Sequence, residues 1–479
     1  MQLRRLMAVL GVLALLAAAC GGDDDGADNG VVDTEPTVAE TAPDDEPDSE
    51  PSSDGDPDPA GSDDGGADGG DAPDSEPPVE LTASFRGVSA EAITVGFSML
   101  DFDLLQELSL SPFGWGDQQL VYQTFVDDIN AKGGINGRMI EPVFRFYSPL
   151  GSTEAEAVCL ELTQDVETFA VIGGFLGPAE VANTCVVGPQ ETILIGGRQS
   201  PERLAEAVAP WYESGASRTR RLGLFLDVLQ SEGLLEGRSI ALIGGIQAQD
   251  DYERAQALLP DYGIEPVLEV LNEVPDGDVT AQDSLWATLS ERVRVSGADV
   301  AFIVGSTSGN IRGLRNNGLD LDLWVLDNDG LGSLGESVQP EWADGAITLE
   351  SLGDIDAWED ETVAECRQVF ADANPDVTVL SPSEVDEDDD RWFTPIMSYC
   401  RWLRLFTIIA TEAGPDLTQD SFREAAAGLG DFELPGQEFN SLGPDKPDAS
   451  DSFRLGIYDS SIGGRGEIVG LTEIVDVTP

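Results

Sequence analysis

Asp128-Ile-Asn-Ala-Lys-Gly-Gly-Ile-Asn-Gly-Arg138, with Phe113-Gly-Trp-Gly-Asp117 shortly before it, is the stretch whose reading decides the fold. Val121, Phe125 and Ile129 recur at four-residue spacing and predict a helix over 117–131, which Gly133-Gly134 stop. Asn136-Gly137 then predicts a tight turn into a strand over 142–146. Upstream, Ala92-Ile-Thr-Val-Gly-Phe97 reads as the strand that feeds the helix. Strand, helix, glycine turn and strand together form the opening unit of a parallel sheet.

The same alternation continues. A helix follows with Thr153 and Glu156 spaced as a capping box and Ala155, Val158, Cys159 and Leu162 on one face. Next come a strand over 169–172, a helix started by Pro178 and a strand over 192–195. The pattern pauses at Trp211-Tyr212. It restarts with a helix over 221–230, whose apolar face carries Leu222, Phe225, Leu226 and Leu229, and with strands over 239–243, 266–270, 300–304 and 321–326. Helices over 362–371 and 395–413 and a β-rich stretch over 453–477 close the chain. Strands alternating with helices predict parallel sheets covered by helices, here as two successive α/β lobes.

The N-terminus reads as an address. Arg4 and Arg5 precede a short apolar run over 6–19, and Ala17-Ala18-Ala19 lead into Cys20, which predicts a secretory signal over 1–20. Ending at cysteine, the segment resembles a bacterial lipoprotein signal. That resemblance implies lipid attachment at Cys20 and an extracytoplasmic, membrane-anchored location. Residues from 21 to about 80 are mostly Asp, Glu, Pro, Gly, Ser and Ala with little to bury, predicting a disordered acidic tether over 21–85. The other four cysteines, Cys159, Cys185, Cys366 and Cys400, favour disulfides outside the cell, and their spacing is not that of a zinc site.

A net charge of −66 argues against nucleic acid as a partner. The chain has no histidine, which excludes Ser-His-Asp and Cys-His nucleophile arrangements and HExxH zinc sites. Neither Lys132 nor Lys446 precedes a hydroxyl residue, so no Gly-Lys-Ser/Thr phosphate loop exists. Gly330-Leu-Gly332-Ser-Leu-Gly335 matches GxGxxG, but Asp327-Asn328-Asp329 ahead of it would repel phosphate. Asp327, Asp329, Gly330 and Glu336 mimic part of a calcium loop, yet Val325 occupies its first position. The acidic run over 384–390 reads as a solvated loop. No metal or cofactor is expected.

The Gly133–Arg138 turn resembles that of the leucine/isoleucine/valine-binding (branched-chain amino acid) family of type I periplasmic solute-binding proteins of ABC transporters. The resemblance extends in register through Val171-Ile-Gly-Gly174, Pro201-Glu202, 250–252, Ala298-Asp-Val-Ala-Phe302, 327–330 and Gly345-Ala-Ile347. It implies two doubly wound, Rossmann-like lobes joined by a three-strand hinge: 91–213 plus about 350–440, and 214–349 plus about 441–479. Crossings are expected near 211–215, near 348–353 and after Phe439. The implied function is capture of a small solute by lobe closure, without catalysis, by a monomer that delivers to membrane permease subunits.

Carried over one residue at a time, the resemblance implies a site. Trp115 matches an aromatic set against the ligand, with Phe175 in the same contacting set. Gly177 stands where a serine hydroxyl meets the ligand carboxylate, and Gly197 matches a backbone contact. Gln199 stands where a threonine touches both charged ends of an amino acid. Tyr252 matches a wall tyrosine, Ser306 an aromatic position, and Asp329 the acidic partner of the ligand ammonium. Losing two hydroxyls weakens an α-amino-acid clamp, because a buried carboxylate needs such donors. The expected solute is therefore amino-acid-like or amide-like, with a cationic ligand also compatible with Asp329. The fold further implies pairing of Cys159 with Cys185 and of Cys366 with Cys400. Alternative readings are a ligand-sensing lipoprotein of the same fold and, from another class, a secreted hydrolase using paired carboxylates.

Self-repulsion at −66 sets one expectation: the melting temperature should climb as salt is raised from low millimolar towards molar, since ions screen surface charge. A melting temperature indifferent to salt would show that the acidic surface carries no such cost.

Overall fold

The computed structural model describes residues 80–479 except 109, 112, 275–277, 333, 335–337, 387–388 and 463–465. The expected signal, Cys20, most of the tether, and parts of the 330–335 and 384–390 strings lie outside the described residues.

The glycine turn forms. Gly133 and Gly134 take positive φ of 104° and 70°. A Cβ on Gly134 would lie 2.0 Å from the Arg138 carbonyl oxygen, so only glycine fits there. The turn is also an anchor. Asn136 Nδ2 donates to Thr411 O at 3.0 Å, and the guanidinium of Arg138, a residue 1 % exposed, donates to the carbonyls of Ser89, Pro415 and Thr82 at 2.7, 2.7 and 2.9 Å. Ser84 Oγ also donates to Leu417 O at 2.7 Å. Residues 82–85 are thus tied to the folded body, and the tether boundary expected at 85 moves towards the N-terminus.

Lobe 1 begins with β1 (Ala92–Leu100), α1 (Phe102–Glu107), α2 (Gln118–Ala131), β2 (Met139–Tyr147) and α3 (Ser152–Leu160). It continues with β3 (Ala170–Gly173), α4 (Val181–Val187), β4 (Ile193–Gly196), α5 (Pro201–Glu206) and the short β5 (Trp211–Tyr212). The capping box expected of Thr153 and Glu156 is absent: α3 starts at Ser152 behind Gly151, with no side-chain cap. Thr153 already lies inside the helix, past the position from which a side chain reaches the orphan N–H groups.

Lobe 2 comprises α6 (Arg218–Ser231), β6 (Ile240–Gly245), α7 (Gln249–Leu258), β7 (Leu268–Asn272) and α8 (Val279–Ser296). It goes on through β8 (Val300–Val304), α9 (Thr307–Asn316), β9 (Asp322–Val325), α10 (Asn328–Gly332) and β10 (Ile347–Glu350). The chain then returns to lobe 1 as α11 (Asp354–Glu359), α12 (Glu361–Ala373), α13 (Phe393–Glu412), α14 (Gln419–Gly428), β11 (Gly430–Leu434) and β12 (Gln437–Leu442). It ends in lobe 2 as β13 (Ser452–Asp459), β14 (Glu467–Gly470) and β15 (Val475–Asp476).

The lobe 1 sheet is parallel, in the order β2-β1-β3-β4-β5. The lobe 2 sheet runs β14-β13-β10-β9-β8-β6-β7, parallel from β7 to β10 and antiparallel at β13 and β14. Each sheet is buried on both faces, which is why its strands read as continuous apolar runs. One face of the lobe 1 sheet is covered by α2 and the returning α12–α14, the other by α3 and α4. Tyr399 on α13 stacks on Tyr122 of α2 with ring centroids 3.7 Å apart, and its hydroxyl donates to Gln118 Oε1 at 2.6 Å.

Three chain crossings, at 213–217, 351–353 and 443–451, join the lobes. The first and third lie side by side: Glu213 N donates to Pro447 O at 3.1 Å and Ala449 N to Glu213 O at 2.8 Å. Arg220 pairs with Asp448 at 3.1 Å and Asp451 at 2.6 Å, Lys446 pairs with Asp451 at 3.2 Å, and both aspartates are buried.

Both expected disulfides form, Cys159–Cys185 between α3 and α4 and Cys366–Cys400 between α12 and α13. Peptide mapping without reduction should recover these two pairs, and four free thiols would contradict them. Removing one bridge as the double serine variant is expected to cost about 2–4 kcal/mol in guanidinium unfolding.

Candidate functional site

Strands of a parallel sheet end where loops and helix N-termini begin, and in two facing α/β lobes those ends meet in a crevice. Here a cavity of ≈ 410 Å³ lies there. Its walls come from the segments after β3 and β4, from the first crossing and the start of α6, and from the segments after β6, β8 and β9.

The lining is strongly charged. It contains Arg198, Arg203, Arg218 and Arg221, together with Glu180, Glu213, Asp251, Asp327 and Asp329. Most of these charges pair. Arg203 meets Glu180 at 2.7 Å, and Arg218 meets Asp251 at 2.6 Å, with Arg254 on the other oxygen of Asp251 at 2.8 Å. Arg198 of lobe 1 reaches Asp329 of lobe 2 at 3.3 Å, an exposed pair that spans the mouth of the cleft. Arg221, half-buried, donates through Nη2 to Asn328 Oδ1 at 2.7 Å and to Leu349 O at 3.2 Å, and burial lowers its pKa from the usual arginine value. Burial likewise pushes the Glu213 carboxyl up to about 8, against the lowering effect of the Gln199 N–H that donates to it at 3.3 Å.

Of the residues expected from sequence, Gln199 and Asp329 line this cavity. Gln199 is 2 % exposed; its Nε2 donates to Trp211 O at 2.9 Å, and its Oε1 has no donor among the described residues. The other expected residues lie outside the lining. Trp115 packs on Phe102 with centroids 4.8 Å apart, and Phe175 is fully buried against Tyr147 at 4.8 Å. Gly177 is exposed with φ 60°, and Gly197 donates its N–H to Gly173 O at 3.2 Å. Tyr252 is in the lobe 2 core, where burial pushes its pKa up to about 12. Ser306 is buried and its hydroxyl donates to Gln247 Oε1 at 3.0 Å, leaving its neighbours Val304 and Gly305 to reach the cavity. Sequence reasoning missed Arg198, Glu213, Arg218 and Arg221. A signal existed: Arg218-Thr-Arg220-Arg221 is a basic cluster beside an expected crossing, in a chain with 25 basic and 91 acidic residues.

No protein-family model matches the chain, and no curated protein matches it. Solved structures do. An ABC transporter substrate-binding protein from Desulfitobacterium hafniense, in complex with Leu, is 15% identical over 79% of this chain and 100% of its own, with a TM-score of 0.53. A solute-binding protein of an ABC transporter from Rhodopseudomonas palustris HaA2, in complex with p-hydroxybenzoic acid, is 15% identical over 81% of this chain and 98% of its own, with a TM-score of 0.51. A fatty acid ABC transporter substrate-binding protein from Thermomonospora curvata is 13% identical over 82% of this chain and 95% of its own, with a TM-score of 0.52. At this identity the likeness concerns architecture, and the chain has the two-lobed fold of type I periplasmic binding proteins.

Glu213 gives the site a pH signature. Its folded pKa of about 8 lies above the ordinary 4.5, so between those values the folded state keeps a proton that the unfolded state has lost. Its contribution to stability therefore declines as pH rises through that window and levels off above it. Glu213→Gln should lose less melting temperature than the wild-type protein between about pH 5 and about pH 9. Parallel curves would show that Glu213 is ionised throughout.

Proposed function

We propose that this protein is an extracytoplasmic solute-binding lipoprotein of an ABC importer. It holds a small solute between its lobes, closes around it and presents it to membrane permease subunits, with no chemistry performed on the solute. The observation that carries this reading is the cavity of ≈ 410 Å³ at the carboxyl ends of both sheets, flanked by the crossings. A cavity of that size suits a compact organic solute. Closure costs little if it bends only the crossings, and it becomes favourable when a ligand makes contacts with both lobes at once. The structural neighbours, described as ABC transporter substrate-binding proteins, support the same reading. The signal-like segment ending at Cys20 supports export and anchoring. A wall that bears both signs of charge suits a small polar or charged solute, with the amino-acid-like and amide-like solutes expected from the sequence among the candidates.

The test uses the purified full-length mature chain. A panel of amino acids, amides, organic acids and polyamines is screened by thermal shift, and each hit is followed by small-angle X-ray scattering. At least one solute should raise the melting temperature and reduce the radius of gyration, with the solute recovered unchanged. Turnover of a hit would replace this reading with an enzymatic one. In cells, Cys20→Ala should abolish incorporation of labelled fatty acid; persistent labelling would refute the anchor.

A further inference from the structure

We infer that the captured solute is an organic acid lacking an ammonium group, and that Arg221 holds its carboxylate from lobe 2. This rests on the solute-binding reading and narrows it.

The argument follows from how the charges in the cavity pair. Arg203, Arg218 and Arg198 are matched with Glu180, Asp251 and Asp329 at 2.7, 2.6 and 3.3 Å. Arg221 is different. Both groups that accept from it, Asn328 Oδ1 and Leu349 O, are neutral, and among the described residues no carboxylate oxygen lies within 4.0 Å of its guanidinium. An enclosed cation with no counterion in contact is costly. Asp329, Asp327 and Glu213 lie near enough to favour its charge, but none of them touches it among the described residues. A guanidinium has five donors in a planar fork that suits a carboxylate. The position adds to this. Arg221 lies in the first turn of α6, where Ala216 and Arg218 beside it also line the cavity.

The acids point the same way. Glu180, Asp251 and Asp329 are taken by arginines, and Glu213, enclosed beside the cavity, already accepts the Gln199 N–H at 3.3 Å. Asp327 is exposed and accepts the N–H of Gly330 at 3.1 Å. Among the described residues Glu213 has no cation within 4.0 Å either, but burial pushes its carboxyl up to about 8, so at neutral pH this enclosed acid holds a proton while the enclosed guanidinium of Arg221 keeps its charge.

Isothermal titration of the full-length mature chain against matched compounds tests this: benzoate with benzamide, hexanoate with leucine, and succinate with putrescine. At least one acid should bind, and bind more tightly than its partner. Arg221→Gln should weaken that acid roughly 30-fold or more, the loss expected when one partner of an enclosed charge pair is truncated. Arg221→Lys should recover part of it. If leucine, benzamide or putrescine binds and the acids do not, the inference fails while the solute-binding reading stands. Silence across the whole panel overturns both. Undiminished acid binding by Arg221→Gln removes the assignment to this residue. The acid-against-partner comparison needs only the wild-type protein and so decides the matter even if a variant misfolds.

Discussion

Arg220 and the buried aspartates around it hold the molecule's plan together. Its guanidinium meets Asp448 and Asp451 where the first and third crossings lie against each other, and Lys446 adds a second cation to Asp451. Asp448 also accepts the Ser217 N–H at 2.6 Å, and Asp451 accepts the Ser441 hydroxyl at 2.6 Å. Ions in such a place are expensive to desolvate, and losing one member typically costs about 3–5 kcal/mol because its partner is stranded. What the arrangement supplies is register. It sets which residue of the first crossing faces which residue of the third, and so where the two sheets end relative to one another. The next residue in the chain, Arg221, reaches the carbonyl of Leu349 just before the second crossing and borders the cavity. Two adjacent arginines thus join the scaffold to the site.

The distribution of charge divides the molecule into two electrical environments. Most of the surface is acidic and solvated, and it repels anions at long range. The cavity concentrates arginines from both lobes and neutralises most of them in pairs. Such pairing keeps the wall polar without leaving a large local field. Recognition is then left to the few groups that stay unpaired by carboxylates. The pair across the mouth, Arg198 with Asp329, is exposed and worth at most about 1 kcal/mol, so it can hold the lobes only loosely.

How much of this the sequence disclosed depended on the physics of each feature. Gly134 was legible because its backbone conformation admits no side chain, and the constraint is local. Buried parallel strands such as β8 were legible because a short, unbroken apolar run bounded by polar residues is stable only where layers cover it on both faces. The disulfides followed from the family resemblance rather than from spacing. The site was only partly legible. Gln199 and Asp329 reached the cavity, but Tyr252 did not: it lies on a helix whose rotation on the sheet, set by packing, turns the ring into the core and presents Asp251 instead. Arg221 was hidden for the opposite reason. An arginine on an amphipathic helix reads as a solvated face, and only the neighbouring crossing makes it a wall.

Lobe 1 is built from two pieces of chain with most of lobe 2 between them. Synthesis proceeds from the N-terminus, so β1 to β5 emerge long before α13 and α14, which cover one face of their sheet. During that interval α2 covers part of that side, with Tyr122 on Phe97 at 4.4 Å between ring centroids, and the rest of the face waits for α13 and α14. The Cys159–Cys185 bridge has both ends in the first piece, and Cys366–Cys400 has both in the second. The nascent half-lobe is therefore a sticky intermediate, and mutual repulsion between acidic chains is what keeps one copy from finding another. The charge that burdens the finished protein thus protects the unfinished one.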